Sequence, residues 1–163
     1  MSDQMIKLDF LHEPKYDHPS MPDVWRIYAQ LEIRLKIGKI QEPLDVPQAL
    51  VDTGSPYTIL AAKDWKQKLL QLPDTVDKIM VPVGGTEVEC YVAPASLWVW
   101  DAAQSSPELE GRIFLGNGEL TILGMDFLRT ARFTCDALNE PSTAFLEFKS
   151  FVASSDESNW YDY

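Results

Sequence analysis

Cysteine is scarce in this chain: Cys90 and Cys135 are the two among 163 residues, in no CxxC pair and without histidines at ligand spacing. That argues against a disulfide framework and a zinc site, and in a reducing compartment both are expected as free thiols on small buried residues. No apolar run approaches the roughly 20 residues that cross a bilayer, so no membrane partner is expected. The first ten residues include Asp3, Lys7 and Asp9, which interrupt the apolar stretch of a secretory leader and make a cytoplasmic location the expectation. Basic charge is short too. The 14 Lys and Arg stand against 25 Asp and Glu, a formal net charge of −11, and no cationic cluster breaks that field, which opposes nucleic acid as a partner.

What is present fits one globular domain. The hydrophobic fraction of 45% and five tryptophans suit a chain long enough to bury a core without staples. Segment 25–37 alternates: Trp25, Ile27, Ala29, Leu31, Ile33, Leu35 and Ile37 share one face, and Arg26, Tyr28, Gln30, Glu32, Arg34 and Lys36 the other. Period two over that length predicts a long, curved strand, with Gly38, Pro43 and Pro47 marking a turn region beyond it. Ala49, Leu50 and Val51 end at Asp52-Thr53-Gly54, which places Asp52 at a strand end before a tight turn. Segment 61–70, with Trp65, Leu69 and Leu70 near helical spacing, predicts a short helix. Segment 78–100 predicts a hairpin with Gly84-Gly85 at its tip. Further on, 113–115, a Gly-Asn-Gly turn at 116–118 and 120–123 lead to Gly124, then to one or two helical turns within 125–132. A last hairpin pairs 133–135 with 144–148. Segment 1–24 is either an added edge strand, from the alternation of Ile6, Leu8 and Phe10, or a flexible arm broken by Pro14, Pro19 and Pro22. The main domain is expected over 25–152, and 153–163 as a flexible acidic tail.

Asp-Thr-Gly by itself is weak evidence, and an ordinary Asx turn accounts for it. Its context is more specific. Val51-Asp52-Thr53-Gly54-Ser55 resembles the active-site loop of the retropepsin-like aspartic proteases, and Ile122-Leu123-Gly124-Met125-Asp126-Phe127-Leu128 resembles their hydrophobic-hydrophobic-Gly segment and following helix, in the same order and at similar spacing. Val83-Gly84-Gly85-Thr86 stands where that family has its glycine-rich flap, so the resemblance spans about 25–148. It departs at two places: Pro56 and Met125 stand where many viral members carry a paired acid and arginine. Both partners are missing together, so no charge is stranded, and a different dimer brace is expected.

The resemblance implies an all-β, closed barrel with one or two short helices, acting as a twofold homodimer on extended peptide or protein substrate, with no cofactor and no metal. Amide hydrolysis without metal or nucleophile needs one group to take a proton from water and another to give one to the leaving amine. Two adjacent carboxylates sharing a proton fill both roles. One Asp52 per chain then demands a second chain. On the resemblance, Thr53 ties the two loops together, Gly54 admits close backbone approach, and Ile122, Leu123 and Gly124 join Val83 to Thr86 around the substrate. Ser55 is expected to donate to the Asp52 carboxylate, lower the pair's pKa values and give an acid-leaning pH optimum.

Plainer readings stand beside these. Gly84-Gly85 serves any tight hairpin, Ile122-Leu123-Gly124 is an ordinary buried strand end, and Trp98 and Trp100 are packing residues. His12 and His18 read as solvated. The tail carboxylates Asp156, Glu157 and Asp162 read as a soluble end, with docking through Trp160, Tyr161 and Tyr163 as the alternative. The rival functional class is a catalytically silent dimer that binds an extended segment by strand addition. A phosphoaspartate enzyme fits poorly, because it needs a βα-repeating chain and further carboxylates for magnesium.

Overall fold

The computed structural model describes residues 4–13, 20, 24–37, 43–69, 72, 73 and 76–149. Eleven strands and two four-residue helices make up these residues: β1 (Gln4–Lys7), β2 (Asp9–Glu13), β3 (Val24–Leu35), β4 (Leu44–Val51), β5 (Ile59–Leu60), α1 (Ala62–Trp65), β6 (Asp77–Val83), β7 (Thr86–Trp100), β8 (Leu109–Leu115), β9 (Thr121–Leu123), α2 (Met125–Leu128), β10 (Arg132–Asp136) and β11 (Thr143–Phe148). The all-β expectation holds, with two short helices as the minor component.

One sheet closes on itself. Its order is β2-β3-β4-β9-β5-β8-β7-β6, and β3 also pairs with β7, so β3, β4, β9, β5, β8 and β7 form a ring. The length of β3 makes closure possible: its first half pairs with β2 through Val24–Tyr28, and its second half with β7 through Gln30–Leu35. Between the pairs Ala29↔Ala49 and Leu31↔Val46 the register with β4 shifts, so Pro47 and Gln48 together oppose Gln30. Pro47, expected in a turn, thus lies inside a strand at a β-bulge, a place in a sheet where a missing N–H is tolerated and where the strand bends.

Ala29, Leu31, Ile33 and Leu35 are buried inside the ring with Leu97, Val99, Ile113, Leu115 and Leu123, the apolar face of the predicted strand. That face breaks at its first residue. Trp25 is 56% exposed, because β3 there has only β2 beside it, and its ring packs at 5.6 Å from Phe10 and 4.7 Å from His12. His12 lies in β2 and is exposed, in keeping with the solvated reading, with its ring tilted against the Trp25 indole. Tyr28, assigned to the polar face, is buried.

A second sheet, β1-β11-β10, packs beside the ring. Ile6 and Leu8 join Ala144, Leu146 and Phe148 in the main core, and within 4–13 the chain forms the strands β1 and β2; the prolines Pro14, Pro19 and Pro22 lie outside the described residues. Cys90 is buried as expected, but Cys135 is exposed on β10. The predicted helix over 61–70 shortens to α1, with Trp65 and Leu69 buried; Leu70, His18 and the 150–163 tail lie outside the described residues. No helix among those residues is long and apolar enough to cross a membrane.

Candidate active site

Asp52 sits where β4 ends. β4 runs parallel to β9 through Ala49↔Thr121, Leu50↔Ile122 and Val51↔Leu123, while β5 pairs with β9 on its other side at Ile59↔Ile122. Segment 52–58 therefore leaves β4, passes the end of β9 and returns as β5. It is stitched to the 123–126 segment at every third residue. Asp52 N–H donates to the Leu123 carbonyl at 3.0 Å, and the Ser55 carbonyl accepts from Met125 N–H at 2.7 Å. At the third stitch Thr58 donates its N–H to Asp126 Oδ2 at 2.9 Å and its hydroxyl to Asp126 Oδ1 at 2.6 Å. Gly124 N–H in turn donates to Thr58 Oγ1 at 3.0 Å.

Gly124 is required here by space rather than by backbone angle. Its φ of −100° is open to any residue, but a Cβ would lie 2.3 Å from the Tyr57 carbonyl oxygen and 2.8 Å from that of Ser55. The loop rests directly on this glycine, which gives the Ile122-Leu123-Gly124 motif a structural meaning beyond a strand end.

Within the loop, Gly54 N–H donates to Asp52 Oδ1 at 2.9 Å, and Ser55 N–H donates to the Asp52 carbonyl at 3.2 Å. Asp52 is half-buried while Thr53 and Gly54 are exposed. The Asp52 Oδ2 atom has no hydrogen bond among the described residues. Ser55 does not do what the sequence suggested: its hydroxyl donates to the Tyr57 carbonyl at 2.8 Å. A hydroxyl has one proton, and this one tightens the turn instead of reaching the Asp52 carboxylate.

Thr58 and Asp126, which hold the loop at its far end, were not among the site residues expected from the sequence. Both were visible as polar residues inside apolar flanks, Thr58 ahead of Ile59-Leu60 and Asp126 between Met125 and Phe127. Thr58 is fully buried. Burial pushes the Asp126 carboxyl above its ordinary value, and donors from Thr58 and from the Phe127 amide pull it part of the way back.

The β6–β7 hairpin turns through Gly84 and Gly85, with φ of 57° and 83°, between the paired Val83 and Thr86. Both left-handed positions in a two-residue loop are what such a turn demands, and glycine supplies them without strain. Among the described residues no hydrogen bond ties Val83 to Thr86 to the Asp52 loop. The connection is apolar: Val83 and Tyr57 both pack on a small cluster of Val81, Cys90 and Phe114, with the Tyr57 and Phe114 rings edge-on at 5.0 Å. The structure thus brings Asp52 to Ser55 and Ile122 to Gly124 together directly, and the hairpin tip through this second core. No group of three or more potential metal ligands occurs among the described residues.

Compared as a sequence, the chain matches no protein family and no curated protein. Compared as a structure, it is similar to a retropepsin-like aspartic protease from Rickettsia conorii, with 16% identity and a TM-score of 0.43, over 91% of this chain and 96% of that one.

Proposed function

We propose that the chain is an aspartic endopeptidase subunit that hydrolyses peptide bonds as a homodimer, with Asp52 and its twofold mate sharing one proton. The observation that carries the reading is the pedestal under Asp52. A half-exposed carboxylate at a strand end stands on a loop held by Leu123, Met125 and Asp126 and floored by Gly124. A general acid–base pair needs such fixed placement, because an error near 1 Å in position costs on the order of 100-fold in rate. Exposed Thr53 and Gly54 beside the carboxylate leave the loop open to a second copy, as a site with one Asp per chain requires.

In the proposed reaction the ionised member of the pair takes a proton from water as the water oxygen attacks the scissile carbonyl. The protonated member then gives its proton to the leaving nitrogen, so the pair ends with one proton as it began. Asp52 is the catalytic residue. Thr53 and Gly54 support the loop at the axis, and Val83, Gly84, Gly85, Thr86, Ile122 and Leu123 are proposed to border an extended peptide in a cytoplasmic enzyme.

The test is cleavage of an unfolded casein-type substrate from pH 3 to 8 by the wild type and by Asp52→Asn, with the mass of each in solution measured alongside. The expected result is an acid-side bell for the wild type and loss of cleavage in a variant of the same mass. A folded wild-type dimer that never cuts would overturn the enzyme reading in favour of a peptide-binding dimer.

A further inference from the structure

We infer that Asp126 is the positioning residue of the active loop: its carboxylate clamps Thr58, and through Thr58 the Gly124 amide, and so holds Asp52 in place from the far end of its own loop. The inference rests on the endopeptidase reading above.

Three observations carry it. The two Asp126 oxygens take different donors of one residue, Thr58 N–H at 2.9 Å and Thr58 Oγ1–H at 2.6 Å, a two-point grip that fixes the orientation of Thr58 as well as its position. The same Thr58 oxygen accepts from Gly124 N–H at 3.0 Å, so the grip passes to the glycine on which Tyr57 and Ser55 rest. Finally, Thr58 is fully buried, so losing its acceptor leaves two donors with no water to replace it.

The clamp lies within one chain, at the loop where Pro56 and Met125 leave no acid–arginine pair. Here the carboxylate comes from α2 and the loop supplies the donors, so the clamp needs no cation. Among the described residues Arg129 donates to the Asp126 backbone carbonyl at 3.3 Å rather than to the carboxylate, whose donors are Thr58 and the Phe127 amide. Ser55, turned towards the Tyr57 carbonyl, has no part in this clamp.

The test compares the wild-type dimer with Asp126→Ala, Thr58→Val and Thr58→Ser in steady-state cleavage at matched mass in solution, together with hydrogen exchange of peptides covering 52–60. Asp126→Ala and Thr58→Val are expected to lower kcat by about 10- to 100-fold with KM within about threefold, and to speed exchange in 52–60. Thr58→Ser keeps the hydroxyl and is expected to restore kcat to within about threefold of wild type. A kcat unchanged in Asp126→Ala and Thr58→Val, or a Thr58→Ser variant as poor as Thr58→Val, would overturn the inference while leaving the enzyme reading intact. A wild type that exchanges slowly over 52–60 yet never cuts would instead remove the enzyme reading on which the inference stands.

Discussion

Replacing Gly124 by alanine puts the pedestal to its sharpest test. The added Cβ would lie 2.3 Å from the Tyr57 carbonyl oxygen, 2.6 Å from its carbon and 2.8 Å from the Ser55 carbonyl oxygen. Ordinary contacts of this kind are near 3.5 Å, so the loop must lift by roughly 1 Å, against backbone that cannot rotate away as a side chain would. Gly124 has no special φ, so Ala fits the backbone there and returns about 0.4–1 kcal/mol by restricting the unfolded chain, which the clash must outweigh. Overpacking of this kind costs about 1–3 kcal/mol. In a domain of this size that corresponds to a fall in Tm of about 2–12 °C. A lift near 1 Å also predicts a loss of cleavage of about 100-fold beyond any loss of folded protein. Gly118→Ala is the control, since no atom lies within 4 Å of its Cβ and its φ is outside the left-handed region. Thermal unfolding followed by circular dichroism, with cleavage assayed well below both Tm values, measures the two effects separately. A Gly124→Ala protein as stable and as active as Gly118→Ala would refute the close contact and with it the pedestal.

Two further expectations concern protons. Ser55→Ala should leave the acidic limb of the pH-rate profile where it is and cost about 1 kcal/mol of stability, since the hydroxyl it removes donates to the Tyr57 carbonyl; a limb displaced upward would restore the role first expected for Ser55. For Asp126 the folded pKa is raised, by burial above all, so the folded chain holds more protons than the unfolded chain above the ordinary Asp value of about 3.9. Stability from this group is therefore full below that value and is lost as pH rises through the folded pKa. The Tm of the wild type relative to Asp126→Asn should fall across that window, and a difference that stays constant from pH 3 to 7 would show that the Thr58 donors offset burial completely.

The sequence by itself determined the parts whose causes are local. Alternation from Trp25 to Ile37 required a strand with one buried face, which β3 forms as far as Leu35, Gly84-Gly85 required a hairpin tip, and Asp52-Thr53-Gly54 required a turn at a strand end. Each follows from side-chain period or from backbone angles available to the residues named. The tertiary structure decided where those faces ended and which polar atoms met. Trp25 has the right period but is exposed because the ring closes beyond it. Cys135 is exposed on β10 although period two puts it on the same face as half-buried Phe133, and Pro47 falls in a bulge opposite Gln30. At the site, Ser55 and Thr58 carry the same kind of hydroxyl three residues apart, yet one turns to its own loop and the other to Asp126, 68 residues away. A hydroxyl bonds to the acceptor within about 3 Å in the right direction, and that choice belongs to the crossing of β4, β9 and β5 rather than to either residue's neighbours in the chain.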